Sequence, residues 1–134
     1  MKKNNGFTLI ELLVVMGIIA VIATIVLVAI NPARQFAQSR NTQRSSNVNA
    51  ILNAIGQRIA DNKGVFEGGS CPILSAATTS VVDLTTCLVP TYLTAMPIDP
   101  KPNSGDYGVS TTTAGRINVG APSSELGETI YITR

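Results

Sequence analysis

The chain has 134 residues, a formal net charge of +2, two cysteines, and neither histidine nor tryptophan. Apart from Lys2 and Lys3 it carries eight basic and eight acidic side chains, which argues against a general nucleic-acid binder. Without histidine, the usual base for a serine or cysteine nucleophile is missing. The sequence also holds no Gly-rich phosphate loop and no Cys-x-x-Cys pair, so no catalytic residue, cofactor or metal is expected.

Residues 1–6, MKKNNG, are a short basic-polar head. Residues 7–30, FTLIELLVVMGIIAVIATIVLVAI, follow with a single charge, Glu11. At about 1.5 Å per residue that stretch reaches roughly 36 Å as a helix. This is enough to cross a hydrocarbon core of about 30 Å. Lys2 and Lys3 would hold the N-terminus on the cytoplasmic side and leave the body outside. A lone carboxylate in such a segment costs about 2.5–3.5 kcal/mol on insertion scales, so Glu11 needs a compensating partner or a short reach to the interface. Gly17, Ala20 and Thr24 share a helix face on which another helix could approach closely.

Asn31-Pro32 comes next and is read as a break or kink, or as a stop in which Asn31 caps a new helix with Pro32 at its first position. Residues 31–63 are expected to continue as helix. Val48, Ile51, Leu52, Ile55 and Ile59 recur at three- and four-residue steps and form an apolar stripe. The preceding QSRNTQRSSN is polar on all sides and reads as an exposed bridge. Arg40 and Arg44 within it, and Arg34 just before it, suggest a solvated face, a subunit-contact patch, an attraction to anionic lipid or phosphate contacts to DNA. Only Phe36 stands near them to stack on bases, so DNA binding is not claimed.

Residues 64–134 read as a small globular head. The segment up to Cys87 is loop-like. Three short strands are expected at 107–111, 116–120 and 129–133. Cys71 and Cys87 are either two separate buried thiols or a disulfide. An oxidising compartment favours the disulfide, which would contribute about 3 kcal/mol by loop closure. The fold class is α+β: a long N-terminal helix with an apolar first half, packed against a small antiparallel sheet.

Gly6-Phe7-Thr8-Leu9-Ile10-Glu11, after a short basic leader and before an unbroken apolar run, resembles the processing signature of type IV pilins and type II secretion pseudopilins. The resemblance implies a pilin-like fold and cleavage between Gly6 and Phe7 by a prepilin peptidase that then methylates the Phe7 amine. It implies that Glu11 pairs with the Phe7 amine of a neighbouring copy. It also implies an inner-membrane assembly platform, a membrane-held precursor, and an extracellular filament of many copies. The competing readings are a secretion or competence pseudopilin, a cleaved secretory signal ending near Leu27-Val28-Ala29, and a single-span anchor that does not polymerise. Met96-Pro97-Ile98-Asp99-Pro100 is similar to a turn that precedes the sheet in major pseudopilins. Many pseudopilins bind calcium in their later loops. Here Asp99, Asp106, Glu125 and Glu128 are the available carboxylates, and their spacing fits turn chemistry better than a calcium loop.

Overall fold

A computed structural model describes residues 6–134. The chain divides into two compact units, Met1–Phe36 and Ala37–Arg134. The head of Lys2 and Lys3 lies outside the described residues. In the first unit, α1 runs over Leu9–Ile30. It is apolar all round, and none of its residues is buried. A helix of this kind suits lipid or the interior of a protein assembly. By length and composition it is long and apolar enough to cross a membrane.

Asn31 ends α1 in the left-handed region, at φ 47°. A second helix, α2, spans Pro32–Asp61. The Asn31 side-chain oxygen accepts from the Arg34 amide at 3.3 Å, and its carbonyl accepts from Arg34 and Gln35. One residue therefore closes one helix and opens the next, with Pro32 where its missing amide hydrogen costs nothing. At the far end, the Gly64 amide bonds back to the Ile59 carbonyl at 2.8 Å, and Gly64 takes φ 94°. That left-handed turn is one a glycine adopts without strain.

The second unit is built on the inner face of α2. Val48, Ile51, Leu52 and Ile55 are buried, as the apolar stripe requires. They share one core with Val109 and Val119 of the sheet. The sheet has four antiparallel strands in the order β1 (Thr79–Ser80), β2 (Gly108–Thr111), β3 (Ile117–Ala121) and β4 (Ile130–Thr133). Val109 pairs directly with Val119, and Val119 with Ile132, so alternation places these three on the core side. Gly108 pairs with Gly120 on the outer side. A Cβ on Gly108 would sit 2.5 Å from the Thr78 methyl, so that close crossing requires glycine. The α+β class expected from the sequence is what the structure has.

Two expectations need correction. Residues 64–88 are not wholly loop: they contain β1, a 3₁₀ turn over Val81–Leu84 and a one-turn helix α3 over Thr85–Leu88. Elements of two to four residues are too short for periodicity to reveal. The polar first half of α2 is not an exposed bridge either. Ala37, Asn41 and Arg44 are buried. They extend the Val48–Ile55 stripe backwards at the same three- and four-residue steps. The geometry of the face is continuous although its chemistry changes.

Candidate functional site

In the first unit, Gly6 and Phe7 lie outside any helix, and Phe7 is 83% exposed. Thr8 is the N-cap of α1, with extended backbone. Its hydroxyl accepts from the Glu11 amide at 3.3 Å. In return, Oε2 of Glu11 accepts from both the Thr8 amide and the Thr8 hydroxyl, each at 2.8 Å. This is a reciprocal capping box. It gives the carboxylate local partners at the helix end whose dipole favours negative charge. The Thr-x-x-Glu spacing in the sequence is the signal that announces it, and the reading above missed it. The Gly6–Phe7 peptide lies just before this cap. Gly17, Ala20 and Thr24 are exposed, and the Thr24 hydroxyl is spent on the Ala20 carbonyl at 2.9 Å.

In the second unit, the polar half of α2 gathers charge from two distant loops. Arg44 has a fully buried side chain. Its Nε and Nη2 donate to the two Asp99 oxygens, both at 2.8 Å. Its Nη1 donates to Asn41 Oδ1 at 2.9 Å and to Glu125 Oε2 at 3.1 Å. Arg40 grips the same Glu125 carboxylate with Nε at 2.6 Å and Nη2 at 3.0 Å. Lys101 Nζ stands 3.5 Å from Glu125 Oε1. Asn41 closes the arrangement: its amide donates to the Glu125 carbonyl and to Glu128 Oε2, and its Oδ1 accepts from the Glu125 amide. Hydrogen bonds from Arg40 first, and from Arg44 after it, hold the Glu125 carboxyl down to about 2. The Arg44 fork likewise holds Asp99 below the usual carboxylate range, and Asp99 in turn raises Arg44.

Arg44 is therefore not on an exposed contact patch, because every side of its guanidinium is enclosed by its own chain. Arg40 is about one-third exposed and is already paired, while Arg34 is exposed. Arg40 and Arg44 do meet acidic loops, but those loops are the chain's own. The sequence separation, 55 and 81 residues for Arg44, is what hid this cluster from a linear reading.

A calcium site does not fit these loops. The Asp99 oxygens are taken by Arg44 and the Lys101 amide, and the Glu125 oxygens face two guanidinium groups and a lysine. Asp106 accepts from the Ser80 hydroxyl instead. Cys71 and Cys87 form a disulfide with Cα atoms 5.2 Å apart, joining the loop after α2 to α3. An open groove of about 270 Å³ crosses the outer face of the sheet near Thr78, Asn118 and Tyr131, with no titratable acid or base besides that tyrosine.

Residues 1–27 match a family described as the prokaryotic N-terminal methylation motif. It is the prepilin-type cleavage and methylation signal of type IV pilins and pseudopilins. The match ends inside α1 and carries Gly6, Phe7 and Glu11 within it. No curated protein and no solved structure matches the chain. The signal is of the kind carried by prepilin-type substrates, and it leads into an apolar N-terminal helix as is typical of pilin precursors. The α+β architecture, with a long apolar helix and a small antiparallel sheet, is consistent with a pilin-like fold.

Proposed function

We propose that the chain is a structural subunit of a type IV pilus-like filament. The observation that carries this reading is a prepilin-type signal leading directly into α1, a helix apolar on every side and buried on none. A monomer in water could not leave such a surface uncovered, so it lies in the membrane before assembly and in a bundle of α1 helices afterwards. The peptidase cuts the Gly6–Phe7 bond, which lies outside the helix, and methylates the new Phe7 amine. Glu11 then takes the Phe7 amine of a neighbouring copy as its ionic partner. Its Oε1 makes no hydrogen bond in the capping box, so it can accept that donor without breaking the box. A buried ion pair is weak support for stability, and its gain here is axial register between subunits. The role is that of an enzyme's substrate rather than an enzyme.

The first test is the N-terminal residue and intact mass of the protein purified from its own cells. A start at methylated Phe7 is the expected result. A start at Met1 would leave a plain anchor, and a start near Ile30 a secreted domain. A shorter secretion-type pseudopilus built from the same subunit is the second reading. The methylation signal serves both kinds of filament, and the length of surface filaments separates them.

A further inference from the structure

The Arg44 cluster has the composition of a cation site with the cation already in place. Four oxygens surround one guanidinium: Asp99 Oδ1 and Oδ2, Glu125 Oε2 and Asn41 Oδ1, at 2.8–3.1 Å. Carboxylate and amide oxygens are the ligand types a hard divalent cation takes, but here they are spread over three nitrogens of one planar group and do not meet at a point. They arrive from three separate parts of the chain, namely α2, the loop that holds Asp99 and the loop between β3 and β4. The charge at their centre is supplied by a side chain.

We propose that Arg44 is a built-in cation that ties these two acidic loops to α2, so that this end of the head is ordered without any dissolved metal ion. The guanidinium suits the task because its planar fork matches the Asp99 carboxylate bidentately while its other edge reaches Asn41 and Glu125. The charge of Arg44 is covalently attached, so chelators cannot remove it. Arg40 and Lys101 add positive charge around Glu125 and oppose entry of a divalent ion there. Every buried side-chain nitrogen and oxygen among the described residues has a hydrogen-bond partner, so no oxygen of the cluster is left waiting for a ligand.

The test is thermal unfolding of the full chain in detergent micelles, with millimolar CaCl₂ or with EDTA. The wild-type midpoint is expected to be the same in both. A rise of several degrees in calcium would overturn the proposal. This arm uses the unaltered chain, so it decides even where a variant fails to fold. Arg44→Met is expected to lower the midpoint by about ten degrees or more, since it leaves the enclosed Asp99 carboxylate without its cation and takes one of three cations from Glu125. Arg44→Lys keeps a positive charge but loses the fork, and is expected to fold with an intermediate midpoint. A wild-type midpoint in Arg44→Lys would overturn the assignment of the tie to the guanidinium.

Discussion

Two helices of this chain each carry a charge that runs against their surroundings. Glu11 lies in α1, whose other residues are almost all apolar and which buries none of them. Arg44 lies in the most polar part of α2, yet its side chain is fully buried. Glu11 finds its partners three residues away, at Thr8. Arg44 finds them 55 and 81 residues away. A local cap needs no tertiary structure, so α1 can exist as a helix while its whole apolar surface stays unspent. The Arg44 cluster exists only once the head is folded, so its charge is spent inside the chain. Apolar exposure without an internal partner points outward, to lipid and to other copies. Polar burial with complete pairing points inward, to the order of the head.

The largest effect should come from breaking the outward-looking half of this contrast. Glu11→Ala removes the carboxylate to which the proposed filament role gives the setting of register, and leaves α1 more apolar than before. Membrane insertion of the precursor should persist or improve, while surface filaments, counted by electron microscopy, should fall by an order of magnitude or more. Thermal unfolding of the head should not change. Asp99→Ala attacks the other half. It leaves Arg44 buried with one of its two acids, and the expected loss is about 3–5 kcal/mol in urea-unfolding stability. Filament loss in that variant should follow loss of folded head, not loss of register. Cys87→Ser is the next step down: opening the Cys71–Cys87 link, which closes a loop of 16 residue steps, should cost about 3 kcal/mol.

Much of this contrast was legible in the sequence, and the remainder was not, for identifiable reasons. The apolar run, the break at Asn31-Pro32 and the stripe from Val48 to Ile59 announce themselves through hydropathy and period. The strands over Gly108–Thr111, Ile117–Ala121 and Ile130–Thr133 lie within one residue of the expected ones, because β-branched residues bounded by glycine and proline mark them clearly. The buried face of Asn41 and Arg44 is hidden from a reading by residue type, because polar types alone indicate exposure. Their position in the stripe was the better guide: Ala37, Asn41, Arg44 and Val48 step by four, three and four. Their partners could not be read at all, since nothing local connects Arg44 with Asp99 or Glu125. The Thr8–Glu11 box is legible as Thr-x-x-Glu, a local donor set that stands beside the neighbour's amine implied by the family resemblance.

Acid separates the two regions by a different route. Asp99 and Glu125 are held below their ordinary values of 3.8 and 4.5, Glu125 at about 2. A carboxylate depressed by folding adds stability that is complete above its ordinary value and is lost as pH falls through its folded value. The unfolding midpoint of the head should therefore hold steady from neutral pH down to about 5 and then decline between about 4.5 and 2. In Asp99→Asn the decline should be shallower, because that group no longer titrates. A decline centred near pH 6 would contradict the cluster's role, since the chain has no histidine to titrate there.

The smallest effect concerns the rim of the cluster and sharpens what pairing means there. Arg40 and Lys101 both face Glu125. Arg40 does so bidentately, at 2.6 and 3.0 Å, from a side chain 32% exposed. Lys101 does so with a single contact at 3.5 Å from a side chain 56% exposed. Water and salt screen the lysine, and holding its long chain in one geometry offsets most of the attraction. Lys101→Ala should shift the thermal midpoint by no more than about a degree or two. Arg40→Ala should shift it further, because it removes a fork that also fills space over Glu125. Added salt should erase the lysine's effect and leave most of the arginine's. Equal effects would mean that Glu125 responds to total positive charge, and that the geometry of the pairing does not matter at the rim as it does at Arg44.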